Sequence, residues 1–333
     1  MGLTADEPNS DRPATDPPPG VPGTAAARPA HPATPASVQP ATSSAPAKTT
    51  RVRRTPLFEA TNSARYSRQA LIRDIEEQTS TSLICYVAGP NAHIDRHDTI
   101  ALVDLLHNVP AGSAIDVLLN SPGGDIDTAE KLVSLVRRRA GTSRVRVIVP
   151  DYAKSAATLI ALGADQIVMS DSSELGAIDP QVTLVNGQGS PSTYSASSYI
   201  DAYSEHAQTL KDDPHDPVAR LMLDKLDPVT LHKMQRTVKR STEIAADLLR
   251  QAMIKDEAAA QDAATQLSDT ERWRSHGQVI GHEICHGLGL NIVYLHPQSD
   301  LWEDLWRLYC LQLWALHDGP IKLFESNIAS LPL

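Results

Sequence analysis

Three short segments hold groups that could attack or polarise a carbonyl. The first is Ser121-Pro122-Gly123-Gly124. Its paired glycines let the main chain turn sharply and bring N–H groups against a ligand. Such groups can stabilise a developing oxyanion. The second is Tyr152-Ala153-Lys154-Ser155-Ala156-Ala157. A serine at the start of a helix sits beside N–H groups that lack intrahelical partners, and the small alanines leave room for a substrate main chain. The third, Ser173-Glu174-Leu175-Gly176-Ala177-Ile178-Asp179-Pro180-Gln181, supplies a carboxylate some two dozen residues beyond Ser155. Taken singly, each segment reads equally well as a strand-to-helix turn, a helix cap or a polar loop.

The elements that must position them follow from the hydrophobic pattern. Ser82–Ala88 (SLICYVA) and Ala114–Asn120 (AIDVLLN) are continuous apolar runs of the kind that buried strands show. Arg144–Pro150 (RVRVIVP) and Gln166–Met169 are two more. The three segments follow the second, third and fourth of these runs. The spacing predicts helices over Ser63–Thr79, Asp98–Asn108, Ala129–Arg139 and Ala156–Leu162. Asp125 or Asp127 caps the third of these, and Gly141 ends it. This alternation predicts an α/β fold with a largely parallel sheet, in which ligands collect at the carboxyl ends of strands. Val185–Ser198, composed of Gly, Ser, Thr and Asn, reads as a mobile loop. Helices follow over Tyr199–Leu210, Pro217–Lys225 and Pro228–Met253, then a strand at Asn291–Leu295 and a last helix from Asp300 to His317.

The chain has 333 residues, 30 Lys+Arg against 40 Asp+Glu, and a formal net charge of −10. That balance argues against a nucleic-acid partner, which calls for a basic face. Arg51, Arg53 and Arg54 read as a solvated hinge. Eleven of the 24 prolines fall in the first 50 residues. That stretch has few large apolar side chains and cannot offset its ordering entropy. The sequence therefore divides into a disordered Pro/Ala/Thr-rich tail over 1–55, a folded body over 56–297 and a C-terminal helical extension over 298–333. Cys85, Cys285 and Cys310 show no framework spacing and point to a reducing compartment. No secretory signal is seen, and no apolar run is long enough for a membrane span. A cytoplasmic location is expected.

In combination the three segments are far more specific. The order strand–SPGG–helix, strand–AKSAA–helix, strand–ELGAIDPQ resembles the Clp-protease/crotonase superfamily, and within it the serine dehydrogenase proteinase family related to signal peptide peptidase A. The phrases LLNSPGGDIDTAEKL, VIVPDYAKSAATLIALGADQIVMSDSSELGAIDPQ and HGQVIGHEICHGLGLNI carry the resemblance, from about Arg65 to Leu295. It implies a Clp/crotonase-like fold of repeated ββα units over 56–297, with added C-terminal helices. It also implies a serine peptidase acting on a peptide or protein substrate, without a cofactor, in a homo-oligomer. Ser155 is then the nucleophile, and the N–H of Gly123 or Gly124, with that of Ala156, forms the oxyanion hole. The base is where the sequence departs. The Clp subunit has a histidine some two dozen residues after its serine; here that region offers Asp179. Signal-peptide-peptidase relatives use a later lysine, and none lies between Lys154 and Lys211. Lys154, Asp179, His206, Lys211 and a group from a neighbouring subunit all stay open. Lys154 adjoins Ser155, and adjacent helical residues do not face each other. A carboxylate needs burial to raise its pKa for this role.

Other readings compete. Crotonases use the same oxyanion geometry for acyl thioesters, although no nucleotide pocket rich in Lys or Arg is evident. A missing base fits an inactive scaffold. His282-Glu283-Ile284-Cys285-His286 matches the H-E-x-x-H zinc pattern. However, Gly287 and Gly289 stop the helix, and Ile292 stands where a third histidine is wanted. His282, Glu283 and His286 therefore read as surface residues, and no metal is expected. No dinucleotide fingerprint follows any strand, so no redox activity is expected. Trp302, Trp306 and Trp314 gather on the last helix and read as an oligomer contact.

Overall fold

A computed structural model of the chain describes residues 55–185, 191–273, 278–317 and 319–333. Residues 1–54 of the expected tail, with Arg51, Arg53 and Arg54, lie outside the described residues. The N-terminal half runs α1 (Pro56–Thr61), α2 (Ser63–Thr79), β1 (Ser82–Ala88), α3 (Asp98–His107), β2 (Ile115–Asn120), α4 (Ile126–Ala140), β3 (Val145–Ile148), β4 (Tyr152–Ala153), α5 (Ala156–Leu162), β5 (Gln166–Met169) and β6 (Glu174–Leu175). It continues with β7 (Gln181–Val185), β8 (Pro191–Ser195), α6 (Ala196–Asp212), α7 (Pro217–Asp224), α8 (Pro228–Gln251), α9 (Glu257–Ser268), α10 (Thr270–Trp273) and α11 (His282–Gly287). It closes with β9 (Ile292–Tyr294), α12 (Asp300–Ala315), β10 (Lys322–Glu325) and β11 (Ser330–Pro332).

Among the described residues the main sheet has seven strands in the order β11-β10-β1-β2-β3-β5-β9. The pairs β1–β2, β2–β3, β3–β5 and β5–β9 are parallel. Parallel strands are covered on both faces, which is why β1 and β2 read as unbroken apolar runs. Side chains alternate between the two faces. Leu83, Cys85 and Val87 of β1 meet Ile72 and Ile75 of α2 and Trp302, Leu305 and Leu308 of α12. Ile84, Tyr86 and Ala88 join the larger core with side chains of α3, α4, α5, α8 and α9.

A second row of short pairings continues the strands beyond their carboxyl ends. Ser121 bridges Ala153, β4 pairs with β6, and Leu175 bridges Ile280. β2 and β3 thus each turn into a shorter extended segment before α4 and α5, the ββα repeat of the Clp/crotonase fold. No helix among the described residues is long and apolar enough to cross a membrane.

Three regions differ from the sequence expectation. Val185–Ser198 is not simply a loop: β7 and β8 form an antiparallel hairpin from Gln181↔Ser195 to Val185↔Pro191, while residues 186–190 lie outside the described residues. Beyond His317, within the span read as a helical extension, the chain forms strands. There β10 pairs antiparallel with β1, and β11 with β10. Phe324 stacks on Tyr86 with ring centroids 4.3 Å apart. The buried Glu325 carboxylate accepts from Arg68 Nε at 2.8 Å, Arg68 Nη2 at 2.9 Å and Gln312 Nε2 at 3.1 Å. Finally, the tryptophans of α12 divide. Trp302 is buried in the chain's own core, while Trp314 is 71% exposed and Trp306 39%.

Candidate active site

The site begins where β2 ends. The Asn120 side chain donates to Ala88 O at 3.3 Å and accepts from Tyr152 N at 3.1 Å, tying three strand ends together. Ser121 N then donates to Tyr152 O, and Lys154 N to Ser121 O. The glycines follow. Gly123 O accepts from Ile94 N at 2.7 Å, and Ile94 O accepts from Asp125 N at 2.9 Å. Gly123 N donates to Ser121 Oγ at 3.2 Å. The Gly124 N–H makes no bond among the described residues. Asp125, rather than Asp127, caps α4: its Oδ1 accepts from Thr128 N at 2.7 Å and Thr128 Oγ1 at 2.6 Å.

Both glycines are required here. Gly123 has φ +103, and a Cβ on it would lie 2.6 Å from Lys154 O and 2.8 Å from Ser155 Cβ. A Cβ on Gly124 would lie 2.4 Å from the main chain of Ile94. The first loop therefore presses directly on the second.

Ser155 itself has φ 51 and ψ −116. A positive φ in a residue with a Cβ costs on the order of 1–3 kcal/mol and persists only where the surroundings impose it. The strain turns the chain sharply from β4 into α5, and leaves Ser155 only 5% exposed. Its Oγ donates to the main-chain carbonyl of Asp179 at 3.5 Å. The Ala156 N–H, first in α5, has no intrahelical acceptor. A hydroxyl and two unengaged amide donors thus lie on abutting turns, groups of the kind that acyl transfer uses. The thiols offer a poorer nucleophile. Burial pushes Cys285 up to about 12 and also raises Cys85 and Cys310, so little thiolate exists at neutral pH.

The profile of the ClpP-like SDH-type serine proteinases matches residues 54–313. The chain belongs to this family. Two uncharacterized proteins of Methanocaldococcus jannaschii are similar to it. One is 30% identical over 153 residues, 43% of this chain and 48% of that protein. The other is 34% identical over 116 residues, 35% of this chain and 37% of that protein. The chain thus spans about half or less of the curated relatives it matches. Among solved structures, the 1510-N membrane-bound stomatin-specific protease, in a mutant form, is 17% identical, with TM-score 0.25 over 65% of this chain and 99% of that one.

Within this family member the residues expected as base lie in different surroundings. Lys154 Nζ pairs with Glu174 Oε1 at 2.6 Å and also donates to Gln278 O at 3.3 Å and Leu175 O at 3.4 Å. Its stem packs over Gly176, where a Cβ would lie 2.4 Å from Lys154 Cδ. Asp179 is buried, and its Oδ1 accepts from Ser197 N at 3.4 Å, at the start of α6. His206 is half-buried and Lys211 exposed on α6, and no hydrogen bond joins either to Ser155.

His282 and His286 stand apart from this site. His282 packs on Tyr294 with ring centroids 4.5 Å apart and lies 3.8 Å from Asp171. His286 and Glu283 are exposed. Among the described residues, no group of three or more His, Cys, Asp or Glu side chains converges as a metal cage would.

Two features escaped the sequence. One is a buried polar network behind the glycine loop. Tyr86 Oη donates to Asp98 Oδ2 at 2.6 Å, and Lys322 Nζ donates to Asp98 Oδ1 at 2.8 Å and to Asp95 Oδ2 at 2.6 Å. Burial first, and then the Asp98 charge, keep the Tyr86 phenol protonated. Burial would raise Asp95, but Lys322 and the His97 amide hold it below the ordinary carboxylate range. The other is a cleft of about 600 Å³ beside Gly124, lined also by Pro180 and by His232, Lys233, Arg236 and Arg240 of α8.

Proposed function

We propose that the chain is a serine peptidase in which Ser155 Oγ attacks a peptide carbonyl carbon. The carbonyl oxygen then takes its negative charge between the N–H groups of Gly124 and Ala156. The hydroxyl proton passes to the base and from it to the departing amine. Water attacks the acyl-enzyme in turn, releasing the acid and restoring the hydroxyl. The observation that carries this is the strained, buried turn at Ser155 set against Gly123, with two amide donors unengaged. Further support comes from family membership over residues 54–313. Gly124 is preferred to Gly123 as donor because the Gly123 N–H is taken by Ser121 Oγ.

A fluorophosphonate probe should label the wild-type chain and not Ser155→Ala. Equal labelling of the two would sink the assignment. Lys154→Met and Asp179→Asn then identify the base: the variant that slows labelling by about 10²-fold or more lacks it. One observation favours an inactive scaffold on the same fold, the Lys154–Glu174 ion pair that engages the lysine. Absence of labelling in the wild type would select that second reading.

A further inference from the structure

The cleft beside Gly124 has one wall made by α8. His232, Lys233, Arg236 and Arg240 lie at spacings of one, three and four residues, so they share a helix face. The opposite stripe of α8, with Leu231, Met234, Ile244 and Leu248, is buried. The basic stripe is therefore presented outward by the helix's own packing. Its members are not equivalent. Arg240 is engaged across the cleft: it bonds Asp127 Oδ1 at 2.7 Å and Glu130 Oε2 at 3.0 Å, both on α4. Asp125, the other carboxylate of the cleft, is used as the α4 cap. Lys233 and Arg236 are exposed and have no ion-pair partner among the described residues. Two unneutralised cations thus face a cleft that Gly124 also lines, in a chain whose net charge is −10.

We infer that this cleft selects acidic peptide segments, with Lys233 and Arg236 as the specificity-determining residues; the inference rests on the peptidase reading of Ser155. Carboxylates on the substrate would take the place that no described residue fills. An acidic peptide is favoured over a nucleic acid on two grounds. The groups at the neighbouring turn are suited to a carbonyl. Two unpaired cations, in addition, are too few to hold a polyanion against the chain's overall negative charge.

The test uses fluorescein-labelled peptides of one length. One carries Asp and Glu, a second carries Asn and Gln at the same positions, and a third carries Lys. Anisotropy is read on the full Ser155→Ala chain, so binding is separated from turnover. The acidic peptide should bind about tenfold tighter than its amide isostere, and the preference should shrink as salt rises. In Lys233→Glu/Arg236→Glu the preference should disappear or reverse while the melting temperature holds. Equal binding of acidic and neutral peptides, or a preference unmoved by the double substitution, overturns the inference. Tighter binding of a single-stranded oligonucleotide than of the acidic peptide overturns it as well. Fluorophosphonate labelling of the wild type separates the two levels. Labelling without an acidic preference removes only the selectivity. An acidic preference without labelling keeps the selectivity and removes the peptidase.

Discussion

The Ser155 turn and the β10 closure treat their polar groups in opposite ways. At the turn the backbone is held at φ 51 and two amide donors are left without partners. At the closure each charge is matched. Glu325 is held by Arg68 and Gln312, and Lys322 by Asp95 and Asp98. In the proposed peptidase, the first arrangement holds donors for the oxygen of a substrate carbonyl. The second specifies where a four-residue strand docks. Polar groups in one domain can therefore serve either a candidate site or a latch, and the count of internal partners tells them apart.

The contrast can be broken by experiment, starting with the largest effect. Arg68→Met leaves the Glu325 carboxylate buried with only Gln312 as donor. Removing one partner of a buried pair costs about 3–5 kcal/mol, so urea unfolding should show a loss of that order. Ser155 labelling of the folded protein should persist. A loss below about 1 kcal/mol would mean that the closure is no more demanding than an exposed ion pair. Gly123→Ala acts on the other region. Its Cβ would push against Lys154 O and Ser155 Cβ, so the labelling rate should fall by about 10²–10³-fold, the cost of one lost oxyanion donor. An unchanged rate would show that the two turns are not mechanically joined. The smallest effect on stability is that of Ser155→Gly. Glycine adopts positive φ freely, so this variant should gain about 1 kcal/mol in stability while losing all labelling. A loss of stability instead would mean that the turn is not strained.

Much of this was legible in the sequence, for a physical reason. Parallel strands such as SLICYVA and IDVLLN are buried on both faces, so their apolar runs owe nothing to distant context. The three polar segments at their ends were legible for the same reason. What failed depended on partners far along the chain. KLFE is short and begins and ends in charge; it is a buried strand because Arg68, 257 residues from Glu325, and Asp98 neutralise those ends. The hairpin of β7 and β8 was hidden by its Ser and Thr content. The signal that could have found it is Asn186-Gly187, directly after the run QVTLV. Asp125 and Asp127 both had the chemistry of a cap, and only geometry could choose between them. The α8 span read as a helix, but nothing in it said that its basic residues would line a cleft.

The place of β10 in the sheet has a consequence in time. On a growing chain, β1 and β2 leave the ribosome well before the partner of β1's other edge exists. Until β10 arrives, that edge is an open row of backbone donors and acceptors, able to pair with any extended segment nearby. The entropy of closing so long an interval grows only slowly with its length. The finished sheet is therefore penalised little in stability, and the vulnerability is concentrated in the interval between synthesis of the first strand and arrival of the last.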